Sequence, residues 1–375
     1  MRFFTLLSLL TFSLISQEIN IEKMDKKMAI AQADENGIIW YDVKSPPFKL
    51  EGFAWFKDEQ IFKRLAKFPS QPIRIHVENL AYHTAGGQAH FQTDSSKILI
   101  RAKLSNKSNM YHMPSTGQSG FDIYSGAPGH QLYLKTSRFK LNQTQVTSEL
   151  FKGNPKLRNF VINFPLYNGV KSLEVGIKAG SQITAPLPRK NKGKILVYGT
   201  SITQGGCAAR PGLAYTNILS RRLDYEFINL GFSGNGRGEP ELAKLIQEVE
   251  DKTMIILDYE ANANEGIKNT LENFIDIIRE KHPTIPLLII SRILPADAIH
   301  NKVKYEKLQS LSDFQKSLVT QKKKFGDKNI YFLDGKSLLG EHAHEATVDG
   351  THPNSYGFMI MAENIQPTIE KILNK

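Results

Sequence analysis

Four stretches of this sequence carry side chains that could do chemistry together. Gly199-Thr-Ser201-Ile-Thr-Gln-Gly205-Gly206 offers a hydroxyl between glycines, and Gly231-Phe-Ser-Gly234-Asn-Gly236-Arg-Gly238 is a glycine-rich loop. Asp258-Tyr-Glu-Ala-Asn262 ends in an amide, and Asp349-Gly-Thr-His352-Pro353 sets a carboxylate three residues before an imidazole. A serine hydroxyl is a weak nucleophile until a base lies within hydrogen-bond reach. The base in turn needs a partner such as a carboxylate to hold one tautomer. Ser201, His352 and Asp349 supply that set. The negative oxygen of a tetrahedral intermediate needs preorganised N–H donors. The Ser201 and Gly234 backbone N–H groups and the Asn262 amide are suitable, Gly234 because no side chain blocks its N–H. Taken singly, each stretch has a plain structural reading: a helix cap for the serine, a turn for Gly-Asn-Gly, chance for Asp-x-x-His. The combination depends on whether the fold brings them to one place.

The elements that must position them are legible after residue 194. Apolar runs at Ile195–Tyr198, Phe227–Leu230, Met254–Leu257, Leu287–Ile290 and Ile330–Leu333 alternate with segments of helical spacing. The helical segments are Leu213–Leu223, Glu241–Val249, Ile267–Glu280, one within Val303–Lys324, and Tyr356–Leu373. Buried strands alternating with helices predict a doubly wound parallel sheet with helices on both faces. Ligands of such sheets bind outside the carboxyl ends of the strands. The serine, glycine and amide stretches directly follow the first three runs. The Asp-His stretch follows the fifth beyond a loop, so all four are expected at one edge.

Residues 18–187 have a different texture. Short alternating runs, such as Ile73–Val77, Lys97–Leu104, Gln131–Lys135, Phe160–Phe164 and Leu173–Ile177, are separated by turns such as Gly86-Gly87 and Asn168-Gly169. Period-two patterning at this spacing predicts a β-sandwich. A polar linker, roughly 186–194, separates it from the second unit at 194–375. Trp40 and Trp55 read as core residues of the first unit. Residues 1–16 read as a secretory signal, with Arg2 before an apolar stretch and Ser16 before the cleavage point. That makes the mature chain an exported protein, periplasmic or secreted.

These residues resemble the blocks of the SGNH (GDSL-type) hydrolases. Gly199-Thr-Ser201 resembles the nucleophile block, with Thr200 where an Asp is usual, and Asn229–Gly234 resembles the second block. Asn262 resembles the asparagine donor of the third, although Asp258-Tyr-Glu-Ala-Asn262 stands where Gly-x-Asn-Asp is usual. Asp349–His352 resembles the fifth block. Gly120-Phe-Asp-Ile-Tyr124, Tyr167-Asn-Gly-Val170 and the run from Gly205 to Gly212 look like a two-domain bacterial subfamily with an N-terminal Gly-x-Asp-Leu-Tyr domain. The resemblance implies an SGNH-type, flavodoxin-like three-layer α/β unit preceded by an all-β, jelly-roll-like sandwich. It also implies a serine esterase acting on small acyl esters, often acetyl groups on carbohydrates.

Composition narrows the alternatives. The net charge is +11, but the excess Lys is spread along the chain and no nucleic-acid signature accompanies it. No run approaches a membrane span after the N-terminal stretch. The single cysteine, Cys207, excludes an intramolecular disulfide framework and reads as a small buried residue. No H-E-x-x-H spacing is present, so neither metal nor other cofactor is expected. His342 and His344 lack a neighbouring acid of comparable geometry and read as loop residues. Arg210, Arg237 and Arg292 fall at the active edge, where they would bind an anionic group on a glycan; the alternative is structural ion pairing, for instance with Glu239 or Glu260. The expected partner is an acylated carbohydrate or small ester. A lipase or thioesterase for longer chains, or a non-catalytic carbohydrate binder on the same fold, are the competing readings. Oligomeric state is not legible.

Overall fold

Residues 32–374 are described by a computed structural model. The signal segment expected at 1–16 lies outside the described residues.

The first unit is two antiparallel sheets. One joins β1 (Ile38–Asp42), β9 (Val170–Lys178), β4 (Lys97–Leu104) and β7 (Gln145–Lys152) in that order. The other runs β10 (Ile183–Thr184), β3 (Gln88–Thr93), β8 (Arg158–Asn163), β5 (Asp122–Ser125), β6 (Leu132–Thr136), with β2 (Lys49–Glu51) also on β3. Alternation along β4 sends Ile98, Ile100, Ala102 and Leu104 inward, against Phe91, Phe160 and Ile162 of the facing sheet. The sandwich is therefore as expected, but it is not purely β. Short helices α1 (Phe56–Glu59), α2 (Ile75–Ala81) and α3 (Ser115–Gln118) interrupt it. The run Ile73–Val77, read above as a strand, opens α2 instead. Its apolar series continues to Ile73, Val77, Leu80 and Ala81, a helical spacing that a five-residue window hides.

The second unit is a five-stranded parallel sheet in the order β12 (Glu226–Gly231), β11 (Lys194–Gly199), β13 (Lys252–Asp258), β14 (Leu287–Ile290), β15 (Ile330–Leu333). In order of sequence this is 2-1-3-4-5, the flavodoxin-like arrangement. A short α4 (Ser201–Gln204) follows β11. The larger helices are α5 (Tyr215–Leu223), α6 (Pro240–Glu248), then, after a turn α7 (Glu260–Ala263), α8 (Ile267–Lys281), α9 (Lys302–Lys324) and α10 (Ser355–Leu373). Ile195, Val197, Met254 and Ile256 face α5 and α10. Their neighbours Leu196, Tyr198, Ile255 and Leu257 face α6, α8 and α9. Strand residues thus alternate between two apolar layers, which is why the runs read as continuously hydrophobic.

The first unit also covers the second unit's exposed strand. β12 lies at the sheet edge and would present unpaired carbonyls there. Arg64, fully buried, donates to the Asn229 and Gly231 carbonyls, and also to His83 and Leu80 carbonyls at 2.7 Å. Trp55 packs, partly buried, on the α/β core, not in the sandwich core. The linker is equally fixed: Arg189 bonds Glu51 of the first unit and Asp224 of the second.

Candidate active site

The turn from β11 into α4 sets the serine. Thr200, not Ser201, caps the helix: its hydroxyl accepts from the Ile202 N–H at 3.3 Å. The Ser201 hydroxyl is therefore not spent on capping. Gly199 has no room for a side chain, since a Cβ there would lie 2.0 Å from the Thr203 hydroxyl and 2.5 Å from the Asp258 carbonyl. Beneath the turn, the Asp258 carboxylate accepts from Thr203 at 2.9 Å and Tyr215 at 2.8 Å. Burial drives its pKa up to about 7, against the lowering effect of those two bonds.

The Asp-His turn is held from both sides. The Val348 N–H donates to the His352 carbonyl at 2.9 Å, Gly350 takes a φ of +82°, and Asn354 caps α10. Asp349 Oδ1 accepts from the Thr351 and His352 N–H groups at 3.0 and 2.8 Å, which turns Oδ2 to His352 Nδ1 at 2.7 Å. His352 Nε2 lies 2.9 Å from Ser201 Oγ. Burial acts to raise the Asp349 carboxyl, but the hydrogen bonds from His352 and Thr351 outweigh it and hold the group at about 2. An ionised Asp349 can only accept, so Nδ1 carries the proton and Nε2 keeps the lone pair that faces the serine.

Register places the donor loops beside this chain of contacts. Gly199 pairs with Gly231 on one side and Asp258 on the other. Ser201, Gly234 and Asn262 thus leave three adjacent strands two, three and four residues beyond one line across the sheet. Gly234 takes a φ of +68°, with open space where a Cβ would stand. Among the described residues, the Ser201 and Gly234 N–H groups make no hydrogen bond. Asn262 Oδ1 is buried without a partner, and its amide is likewise unengaged.

Residues 192–370 match the GDSL-like Lipase/Acylhydrolase family, and residues 38–183 match the GxDLY family, the N-terminus of SGNH hydrolase-type esterases. A crystal structure from Bacteroides ovatus, described as that of a GDSL-like lipase, is 31% identical, with a TM-score of 0.81 over 90% of this chain and 98% of that one. This chain belongs to the GDSL-like lipase/acylhydrolase family. It is an SGNH-type ester hydrolase, which sets aside the reading as a non-catalytic binder. Two further structures share the fold, each over 90% of this chain and 98% of their own. The salicylyl-acyltransferase SsfX3 of a tetracycline biosynthetic pathway is 20% identical with a TM-score of 0.72. A family two carbohydrate esterase from Cellvibrio japonicus is 16% identical with a TM-score of 0.57. No curated protein matches the sequence.

In this GDSL-like hydrolase the first unit reaches into the site. The Tyr167 hydroxyl donates to the Ser201 carbonyl at 3.1 Å, and Gln204 bridges the Leu166 carbonyl at 3.0 Å to the Ser233 N–H at 3.0 Å. Gly206 is confined by the same tyrosine, whose oxygen would lie 2.7 Å from a Cβ there. The loop before α3 brings His112 to His352, ring centroids 5.7 Å apart, with Tyr111 beside it and 94% exposed. Gln118 anchors that loop through the Asn109 and Met110 N–H groups. Tyr167 stood in a motif without a role, and His112 had no sequence signal because its neighbour lies 240 residues away.

The arginines separate. Arg210 is committed to structure: its guanidinium lies 2.9 Å from Asp122 Oδ2, bonds Tyr124 Oη, and stacks 3.7 Å from the Tyr133 ring centroid. Asp122 also accepts from the Gly212 N–H at 2.9 Å, so the Gly-x-Asp-x-Tyr motif is a latch on the loop behind the nucleophile. Arg237 is exposed and reaches back to the Gly234 carbonyl at 3.2 and 3.3 Å. Arg292 donates to Asn264 at 3.3 Å, while its backbone N–H bonds Glu260 at 2.9 Å. Glu239 forms its ion pair with Arg74 and, of the three, accepts only from the backbone N–H of Arg237, at 3.2 Å. His342 and His344 lie in a surface turn against each other, ring centroids 6.2 Å apart.

Proposed function

We propose that this hydrolase is an exported serine esterase that removes short acyl groups, chiefly acetyl, from saccharides. The observation that carries the mechanism is the continuous contact from Ser201 Oγ through His352 to Asp349. In this reading the Ser201 hydroxyl donates its proton to His352 Nε2 as the oxygen attacks the ester carbonyl. Asp349 holds the imidazole and stabilises the imidazolium that forms. The Ser201 and Gly234 N–H groups and the Asn262 amide receive the oxyanion, which suits donors with no other partner. His352 then returns the proton to the leaving sugar oxygen. Water, activated by the same base, resolves the acyl-enzyme. Ser201→Ala should lower turnover of a chromogenic acetate ester by roughly 10⁴-fold or more with an unchanged melting temperature. Substantial turnover by the folded variant would refute the assignment.

Tyr111 supports the saccharide reading: an exposed aromatic ring against His112, which itself packs on His352, is a platform for a sugar face. The carbohydrate esterase likeness fits that reading. Arg237 and Arg292 are proposed as contacts for an anionic glycan, for which a preference for uronic-acid oligosaccharides that fades with salt is the test. No helix among the described residues is long and apolar enough to cross a membrane.

A specific feature favours longer acyl chains as a second reading. A cavity of about 680 Å³, lined on its apolar side by Leu294, Pro295, Ala296, Ile299, Leu339 and Ala343 and elsewhere by polar groups including Asp297, Lys336 and Glu341, abuts the Asp-His turn, where the Ala296 N–H bonds the Gly350 carbonyl at 2.8 Å. Faster turnover of octanoate than acetate esters would select it.

A further inference from the structure

We propose that His112, Cys207 and His352 form an inhibitory site for a thiophilic divalent cation such as zinc, which silences the hydrolase by occupying its base. One ligand atom from each residue lies within 4.8 Å of the other two. A tetrahedral zinc bonded at about 2.0–2.3 Å spaces its ligands roughly 3.3–3.8 Å apart, so small side-chain rotations close the site. Two imidazoles and a thiol are the donors zinc prefers, and no carboxylate dilutes the set. The three residues come from three separate segments: the loop before α3, the turn after α4, and the turn before α10.

Each residue carries a feature that the ester chemistry leaves unused or that suits a metal. His112 Nδ1 is buried with no hydrogen-bond partner. His352 is fixed through Nδ1 by Asp349, and this is also the carboxylate–histidine arrangement that orients metal-bound imidazoles. Cys207 is 2% exposed and holds a φ of +77° directly after Gly205-Gly206, a conformation a mere packing residue would not require. On binding, the thiol proton passes to solvent and the sulfur and two imidazole lone pairs go to the cation. No redox step is involved. His352 Nε2 can no longer accept the Ser201 proton. Inhibition rests on the proposed role of His352, whereas binding does not.

Cobalt titration of full-length Ser201→Ala tests the binding directly. Cys207 is the chain's single cysteine, so a thiolate-to-cobalt charge-transfer band can come from nowhere else within it. The expected result is a saturable near-ultraviolet band with one equivalent of cobalt, displaced by zinc, absent in Ser201→Ala/Cys207→Ala and weakened by His112→Gln. In the wild type, micromolar zinc should inhibit acetate-ester turnover and a chelator should restore it. Cys207→Ala and Cys207→Gly, the latter at ease with the positive φ, should retain turnover and need at least tenfold more zinc for inhibition. No cobalt band, or undiminished zinc sensitivity in both cysteine variants, overturns the site. A cobalt band in a chain whose wild type hydrolyses no ester leaves the site standing and sinks the esterase reading instead.

Discussion

The Tyr167 hydroxyl, contributed by the β-rich unit, donates to the Ser201 carbonyl oxygen at 3.1 Å and so grips the backbone of the nucleophile turn from outside the α/β unit. The same carbonyl also accepts from Gly205 and Gly206 N–H groups at 3.1 and 2.8 Å. Removing the tyrosine oxygen therefore loosens the turn without orphaning the carbonyl. One net hydrogen bond is worth about 1 kcal/mol, equivalent to roughly fivefold in rate. Tyr167→Phe should lower kcat for an acetate ester by about that factor and leave KM nearly unchanged. An unaltered kcat would mean that the turn holds itself.

Asp349 is held at about 2 and so is ionised throughout the working range. Asp349→Asn keeps the shape but permits the wrong imidazole tautomer, and should lower kcat by about 10⁴-fold. A loss below tenfold in Asp349→Asn would count against the proposed pairing of Asp349 with His352.

Asp258 supplies a stability test independent of activity. Its folded pKa of about 7 lies above its unfolded value of 3.8. The folded state therefore binds the extra proton, and this contribution is full below about 4 and lost as pH rises through 7. Asp258→Asn keeps an acceptor for Thr203 and Tyr215 but cannot ionise. Its melting temperature relative to the wild type should climb between pH 4 and 7 and then level, reflecting a change in relative stability on the order of a few kcal/mol. A constant difference across that range would show that Asp258 does not titrate there.

The fold was readable where patterning is long and one-sided. The five strands and five larger helices of the second unit follow the apolar runs, because the central residues of β11 to β14 are buried on both faces of the sheet. The Ile73–Val77 segment was misread because five residues satisfy either period, and the decision lay with Leu80 and Ala81. Ser201, Asp349 and His352 could be proposed from the sequence because each stretch follows an apolar strand run, Ser201 after β11 and the Asp-His turn after β15, and so falls at the carboxyl edge of one sheet. His112, Asp258 and the role of Tyr167 were not, since each acts through a partner on a distant segment that only the packed units bring near. Arg210 shows the converse: proximity to the nucleophile in sequence placed it at the active edge, but buried Asp122 claims its charge.

That claim leads to a prediction about Arg210. Asp122 is fully buried, whereas the Arg210 side chain is 17% exposed, so the pair is shielded from most solvent. Removing one partner of such a pair leaves a charge without compensation and costs about 3–5 kcal/mol. Asp122 keeps the Gly212 N–H and the Asn163 amide, at 2.9 and 2.7 Å, which argues for the lower end. Arg210→Met should therefore lower the melting temperature by several degrees, and adding Asp122→Asn should restore part of the loss by removing the stranded charge. If Arg210 instead bound an anionic substrate, Arg210→Met would raise KM for a uronic-acid ester at low salt and leave thermal stability intact. Measuring both quantities on the same protein distinguishes the latch from the binding residue.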